Sequence, residues 1–135
     1  MFIRVDSSNG VPVYEQIVRQ VKFAIADGVV AAGDLLPSVR ELARELAINP
    51  NTVARAYRDL QSQELVELAS GIGLSVRGGA KRECQTQRRQ LLQARVGQVL
   101  EEAFRSGLDA AAVRRLVDAE LTRLEKQFMG NGNHE

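Results

Sequence analysis

The amino-acid sequence predicts a mainly α-helical fold that carries one small β-hairpin. Three observations lead to this prediction. Two short, well-capped helical stretches lie close together between residues 36 and 60, a glycine-containing turn separates two β-like runs after them, and two long amphipathic stretches follow. We therefore expect an N-terminal domain over residues 1–79 and a two-helix region over residues 80–135, with a disordered tail from about residue 130.

Composition and charge restrict the possible functions. The 135 residues carry 18 basic and 17 acidic side chains, which gives a net charge of +1. Residues up to 80 carry eight basic and nine acidic side chains. Any affinity for nucleic acid must therefore come from how the charges are distributed over the surface and not from their total.

The sequence contains little that could support enzymatic chemistry. The single Cys84 cannot form an internal disulfide and is expected to be inert, and the single His134 lies in the tail. Because catalysis needs a nucleophile, an acid–base pair or a set of metal ligands, we expect no enzyme, no cofactor and no metal site. A redox role for Cys84 remains an open alternative.

No segment predicts export or membrane insertion. Charged residues interrupt every stretch of about 20 residues, the length that a membrane span requires. The N-terminus lacks a basic region followed by a long apolar run. Together with the single cysteine, these features favour a protein of the reducing cytoplasm that makes no contact with a membrane.

The first predicted elements are a weak strand and a strong helix. Residues 2–5 alternate weakly between apolar and polar side chains, which predicts a short strand. Residues 11–27 predict a helix, because apolar residues recur at spacings of three and four and Gly28 follows as a stop signal. The face that we expect in the core comprises Tyr14, Ile17, Val18, Val21, Ala24 and Ile25.

A pair of short helices follows. Ser38 and Glu41 have the spacing of a capping box, in which each side chain satisfies a backbone N–H at the start of a helix. Asn49-Pro50 predicts a second helix start, with an N-cap and a proline at the first helical position. Small Ala43 and Ala47 stand where two helices must approach, so the pair is typical of a helix-turn-helix.

The second helix of the pair carries two different stripes. An apolar stripe comprises Val53, Ala56, Tyr57 and Leu60, and a polar stripe comprises Asn51, Arg55 and Arg58. Asparagine can bond the adenine edge, arginine the guanine edge, and the Thr52 methyl group can contact thymine. The pattern favours a helix that reads DNA from its N-terminal end. The alternative is the solvated face of an ordinary helix pair.

The runs at residues 65–68 and 74–77 predict a β-hairpin. Gly71 and Gly73 lie between them, as expected for a hairpin tip. A hairpin after a helix-turn-helix is a wing, whose glycines allow close approach to the DNA backbone or minor groove. The alternative is a hairpin that only closes the domain.

The last part of the chain predicts two helices. The first runs from Arg82 to about Ser106, Gly107 interrupts it, and Asp109 caps the second. Two such helices cannot bury both apolar stripes against each other, so a second copy would complete the core as a homodimer. The alternative is that they pack on the first domain. The expected dimerisation residues are Leu92, Val96, Val99, Leu100, Ala103, Val113, Leu116, Val117, Leu121, Leu124 and Phe128.

Residues 12–76 resemble the winged helix-turn-helix domain of the GntR family of bacterial transcription regulators. The matching segments are PVYEQI (residues 12–17), GDLLPSVRELA (33–43), NTVARAYRDL (51–60) and GIGLSV (71–76). The short helical tail is similar to that of the YtrA-like subfamily, in which it is mainly a dimerisation element.

Two departures from the family pattern matter. Glu64 stands where the family usually has glycine, so we expect a different cap at the end of this helix. Ala54 stands where some relatives have an arginine, so Arg55, the next residue, must take the place of that arginine.

The resemblance implies a sequence-specific transcriptional repressor that binds a palindromic operator in double-stranded DNA as a homodimer. A small-molecule effector of unknown identity is possible. A winged-helix module that binds protein and not DNA is the alternative function. The residues expected at the DNA are Ser38, Arg40, Arg44, Asn49, Pro50, Asn51, Thr52, Arg55, Arg58, Gly71, Ile72 and Gly73.

Overall fold

Five helices and one two-stranded antiparallel sheet form the part of the chain that the computed structural model describes, residues 3–130. The predicted fold class, mainly helical with a small hairpin, is confirmed. In chain order the elements are α1 (Val13–Ala26), α2 (Val39–Leu46), α3 (Pro50–Ser62), β1 (Val66–Leu68), β2 (Leu74–Val76), α4 (Ala80–Arg105) and α5 (Ala110–Met129).

The core of the N-terminal unit lies between the first three helices and the hairpin. Both α1 and α2 pack against α3. The largest side chains that are fully removed from solvent include Ile17, Ile25, Leu60 and Leu65. Burying side chains of this size is the main source of stability in a small domain.

The strand predicted over residues 2–5 is wrong for the residues that the structure describes. Residues 3–5 form no sheet, although Ile3 is buried. The Arg4 N–H donates to Gln20 Oε1 at 2.9 Å, and Gln20 Nε2 donates back to the Arg4 carbonyl oxygen. The Gln16 amide makes the same pair of bonds to Asp6. Side chains of α1 therefore supply the hydrogen bonds that a neighbouring strand would have supplied.

The predicted capping box at the start of α2 is confirmed. The Glu41 N–H donates to Ser38 Oγ at 3.0 Å, and the Ser38 N–H donates to Glu41 Oε1 at 2.8 Å. Ala43 is buried as expected, but the expectation for Ala47 is wrong. Ala47 is exposed and ends the helix in the left-handed conformation (φ 56°), so its small size serves the turn and not the approach of two helices.

Helix α3 begins at the predicted cap and buries the predicted stripe. Asn49 Oδ1 accepts the Asn51 N–H at 2.8 Å. The Tyr57 hydroxyl donates to the Pro37 carbonyl oxygen at 2.7 Å, and burial raises the pKa of Tyr57, so this hydroxyl keeps its proton. The buried residues of α3 are Val53, Ala56, Tyr57 and Leu60.

The end of α3 corrects the expectation of a different cap. Glu64 adopts the left-handed conformation (φ 59°) that glycine usually provides. Its N–H donates to the Gln61 carbonyl at 2.9 Å, and the Leu65 N–H donates to the Leu60 carbonyl at 3.1 Å. These two bonds form a Schellman motif, with Leu60 and Leu65 both buried at its base. The helix therefore ends in the glycine-type turn, made with glutamate.

The hairpin pairs as predicted. Val66 lies opposite Val76 in the antiparallel register, and both side chains are buried. Leu35 forms an isolated bridge with Ser75, so the segment before α2 adds to the edge of the hairpin. The Ala69 N–H donates to the Gly73 carbonyl at 2.7 Å and closes the tip.

Helix α4 begins at Ala80, two residues before the predicted Arg82. Ala80 and Cys84 are buried with the core of the N-terminal unit. Arg88 pairs with Asp27 at 2.8 Å. The N-terminal compact unit therefore includes the first turns of α4 and extends to Arg89.

The second unit, from Gln90 onward, contains the rest of α4 and all of α5. Asp109 Oδ1 accepts the Ala112 N–H at 2.9 Å, so the predicted cap of α5 is confirmed. Among the described residues of this unit Val113 alone is buried. The tail expected to be disordered lies mostly outside the described residues. Leu92, Val96, Val99, Leu116, Leu121 and Phe128 are exposed, and Leu100, Ala103, Val117 and Leu124 are half-buried.

Candidate DNA-binding surface

The outer face of α3 is polar and cationic. Asn51, Arg55 and Arg58 are exposed, and Thr52 is half-buried beside them. The apolar stripe of the same helix is buried in the core, so this polar face must point to solvent. The face begins at the helix N-terminus, where a recognition helix of a helix-turn-helix contacts base edges.

Helix α2 adds two exposed arginines, Arg40 and Arg44. The backbone N–H groups at its start are less available, because Ser38 and Glu41 bond each other's N–H groups in the capping box. These hydrogen bonds hold the pKa of Glu41 below its usual value, so the carboxylate stays ionised. The positive charge that α2 presents to solvent therefore comes from its arginine side chains more than from its helix N-terminus.

Arg55 stacks on the ring of Tyr14, a contact that the spacing of residues within α1 or α3 does not predict. Its guanidinium carbon lies 3.8 Å from the centroid of the Tyr14 ring. Tyr14 belongs to the α1 face predicted to lie in the core, and its half-buried side chain packs against that core. Its recurrence at helical spacing with Ile17 and Val18 indicated burial, and no local pattern connects the start of α1 with α3.

The start of α1 and the start of α3 form one shallow concavity. The structure brings Asn51, Thr52 and Arg55 together there, and Val13 and Tyr14 complete the lining. The concavity at the start of α3 therefore includes residues of α1.

The hairpin tip is exposed. Gly71 and Gly73 adopt positive φ angles of 78° and 122°, which the tight turn requires, and Ile72 is 68% exposed between them. Across the strands, Arg77 pairs with Glu67 at 3.7 Å. The predicted wing residues thus stand at the end of a short hairpin whose base is fixed in the core.

Metal binding and thiol chemistry find little support in the described part of the chain. No group of three or more histidine, cysteine or acidic side chains is placed to hold a metal ion within residues 3–130. Burial raises the pKa of the Cys84 thiol, which lowers its reactivity. None of the helices formed by residues 3–130 has the length and apolar character to cross a membrane.

A short capped helix, an exposed polar helix and a hairpin in this order define a winged helix-turn-helix DNA-binding protein. Residues 13–76 match the family described as bacterial regulatory proteins, gntR family. The chain is 34% identical over 107 residues to the HTH-type transcriptional repressor YtrA of Bacillus subtilis (strain 168), a match that covers 79% of this chain and 82% of the relative. The chain belongs to the GntR family and is a DNA-binding transcriptional regulator.

Solved structures show the same fold over more than the winged domain. A transcriptional regulator from Oenococcus oeni superposes with a TM-score of 0.77 at 34% identity, over 89% of this chain and 99% of that one. YtrA from Sulfolobus acidocaldarius, a GntR-family transcription factor, gives a TM-score of 0.57 at 31% identity, over 71% of this chain and 99% of that one. The resemblance to YtrA-like regulators is therefore confirmed.

Proposed function

We propose that this regulator is a homodimeric repressor that binds a palindromic operator in the cytoplasm. The observation that carries the proposal is the exposed polar face of α3, which starts at a capped helix terminus and brings Asn51, Thr52 and Arg55 into one concavity. The assignment as a repressor is supported by the Bacillus subtilis relative YtrA, which is a transcriptional repressor.

The proposed roles of the site residues follow from their chemistry. Asn51, Thr52 and Arg55 read base edges in the major groove. Arg40, Arg44 and Arg58 neutralise phosphates and set the salt dependence of binding. Asn49 and Pro50 fix the start of α3, the Ser38 cap fixes that of α2, and the hairpin tip at Gly71, Ile72 and Gly73 lies along the flanking backbone or minor groove.

The proposed dimer is supported by the second unit. The apolar residues of α4 and α5 remain exposed in the single chain, and Val99 and Leu121 are 62% and 51% exposed. A surface of this kind, spread over two helices, is typical of a protein–protein interface. Covering it with a second copy gives a two-fold symmetric protein, which matches a palindromic site with half-sites about one helical turn apart.

The first test is selection of bound sequences from a random DNA pool with the purified chain, with its solution mass measured in parallel. We expect an enriched palindrome and a mass of twice 14.8 kDa. A folded dimer that enriches no sequence would contradict the proposal and favour a protein-binding winged helix.

Replacing Arg55 tests the base-reading role. Arg55→Ala is expected to weaken binding to the enriched site by about 1–3 kcal/mol and to change binding to random DNA little, because it removes a base contact. Arg58→Ala is the matched control, expected to weaken binding to both DNAs and to lower the salt dependence. Equal losses on both DNAs for Arg55→Ala would remove its base-reading role. Fluorescence anisotropy at fixed salt measures both variants.

A further inference from the structure

We infer that Tyr14 is a positioning residue for DNA reading, because its ring holds the Arg55 guanidinium in place while leaving the hydrogen-bonding edges of that group open. The inference rests on the proposed function, and it adds to that function a specificity-determining residue outside the helix-turn-helix. The Arg55 guanidinium carbon lies 3.8 Å from the Tyr14 ring centroid, within the range of a cation–π contact.

Stacking is suited to this role because it uses the flat face of the guanidinium group. The guanidinium group is planar and carries its N–H donors around its edge, so an aromatic ring against one face leaves those donors available. Among residues 3–130, Arg19, Arg77, Arg88, Arg105 and Arg123 are held by carboxylates. The ion pairs found among residues 3–130 do not include Arg55, whose described contact uses the face of the guanidinium group.

The ring itself stands on a fixed backbone. Tyr14 lies in the first turn of α1, and the next turn is anchored in the core by Ile17, which is fully buried. The chain before α1 is tied down by the Gln16 amide, which donates to the carbonyl oxygen of Val11 at 2.8 Å and to that of Asp6 at 2.7 Å. A Tyr14 ring held in this way limits the positions that the Arg55 side chain can occupy before DNA binds.

Limiting those positions changes binding in a specific way. A long arginine side chain loses rotamer freedom when it is immobilised at an interface, and a group that is already held loses less. The gain is confined to contacts that Arg55 makes. Tyr14 should therefore affect discrimination at the base pair that Arg55 reads, and contacts made by other residues should be unaffected.

The test compares Tyr14→Leu, Tyr14→Phe and wild type on the selected operator and on a panel with single base-pair changes. Tyr14→Leu removes the ring, and we expect about threefold to tenfold weaker binding, with lost discrimination at the base pair identified by Arg55→Ala. Tyr14→Phe keeps the ring and is expected to bind like wild type. Loss in Tyr14→Phe equal to that in Tyr14→Leu would assign the effect to the hydroxyl group and overturn the inference.

A double-mutant cycle separates positioning from a general structural effect. In the Arg55→Ala background, Tyr14→Leu should have no further effect on operator binding. The same loss in both backgrounds, or no loss in either, would overturn the inference. Phe23→Leu is the matched control, since Phe23 is another partly exposed aromatic residue of α1, and thermal unfolding checks that each variant is folded. If wild type enriches no sequence, the proposed function itself fails, whereas unchanged binding of Tyr14→Leu removes this inference alone.

Discussion

The two units of the chain differ in how far their apolar residues are buried. In the N-terminal unit, Ile17, Ile25 and Leu60 are completely removed from solvent. In the second unit, Val113 is the single buried residue among those described, and Val99 and Leu121 remain more than half exposed. The N-terminal unit thus completes its own core. The second unit leaves an apolar surface exposed, and the proposed second copy would cover it.

The largest effect is expected from placing a charge on that surface. Leu121→Glu should abolish self-association, because the carboxylate would have to be buried at the interface. Operator affinity should then fall about 10²-fold or more, since two half-sites are no longer bound by one linked molecule. Sedimentation gives the mass and fluorescence anisotropy the affinity.

Thr122→Glu adds the same charge at the next, exposed polar position of α5 and serves as the control. It should leave the mass and the affinity unchanged. A Leu121→Glu protein that keeps the mass of a dimer would show that this stripe is not the interface.

A core truncation in the N-terminal unit comes next. Leu60→Ala should lower the free energy of unfolding by about 2–5 kcal/mol, because Leu60 is fully buried and its loss leaves a cavity. Leu68→Ala, at a residue 74% exposed, should change it by less than about 0.5 kcal/mol. Urea unfolding measures both. Similar losses for the two variants would contradict a core centred on α3.

A smaller effect of opposite sign is expected at the end of α3. Glu64→Gly should raise the free energy of unfolding by about 0.5–1 kcal/mol, because glycine adopts the left-handed conformation without the strain that a side chain brings there. Gln63→Gly is the control. Gln63 has an ordinary φ of −88°, so glycine there should give no gain. A destabilised Glu64→Gly protein would show that the glutamate side chain contributes more than the strain costs.

The smallest effect concerns Cys84. Its thiol pKa is raised, chiefly because burial disfavours the thiolate, so the thiolate fraction at neutral pH is lower than for an ordinary cysteine. A disulfide reagent at pH 8 should label the native protein slowly and the urea-unfolded protein rapidly, and mild oxidants should leave operator affinity unchanged. Rapid native labelling would revive the redox alternative.

Local signals explain how much of the fold was predictable. The caps at Ser38 and Asn49 act on backbone groups two or three residues away, so the sequence alone located the starts of α2 and α3. The contacts that were missed join distant segments. Gln20 bonds the backbone of Arg4, and Tyr14 stacks on Arg55; neither pair is marked by a spacing within one element.

The same distinction applies to the candidate site. Exposure of Asn51, Arg55 and Arg58 followed from the two stripes of α3, because a helix that buries one face must expose the other. The contribution of α1 to the candidate site could not be predicted from the sequence, because it depends on how α1 packs against α3. Glu64 illustrates a further limit. The absence of the family's usual glycine predicts another cap, while the surrounding hydrogen bonds impose the glycine-type turn.

The exposed apolar face of α4 and α5 has a consequence for gene dosage. If the operator is bound by a pair of chains and the face is covered only in the pair, then at low expression the amount of active regulator rises as the square of the chain concentration. Halving the supply of chain would then reduce the active species about fourfold under those conditions. A promoter under such control would respond to modest changes in synthesis or degradation with a steepness that needs no effector.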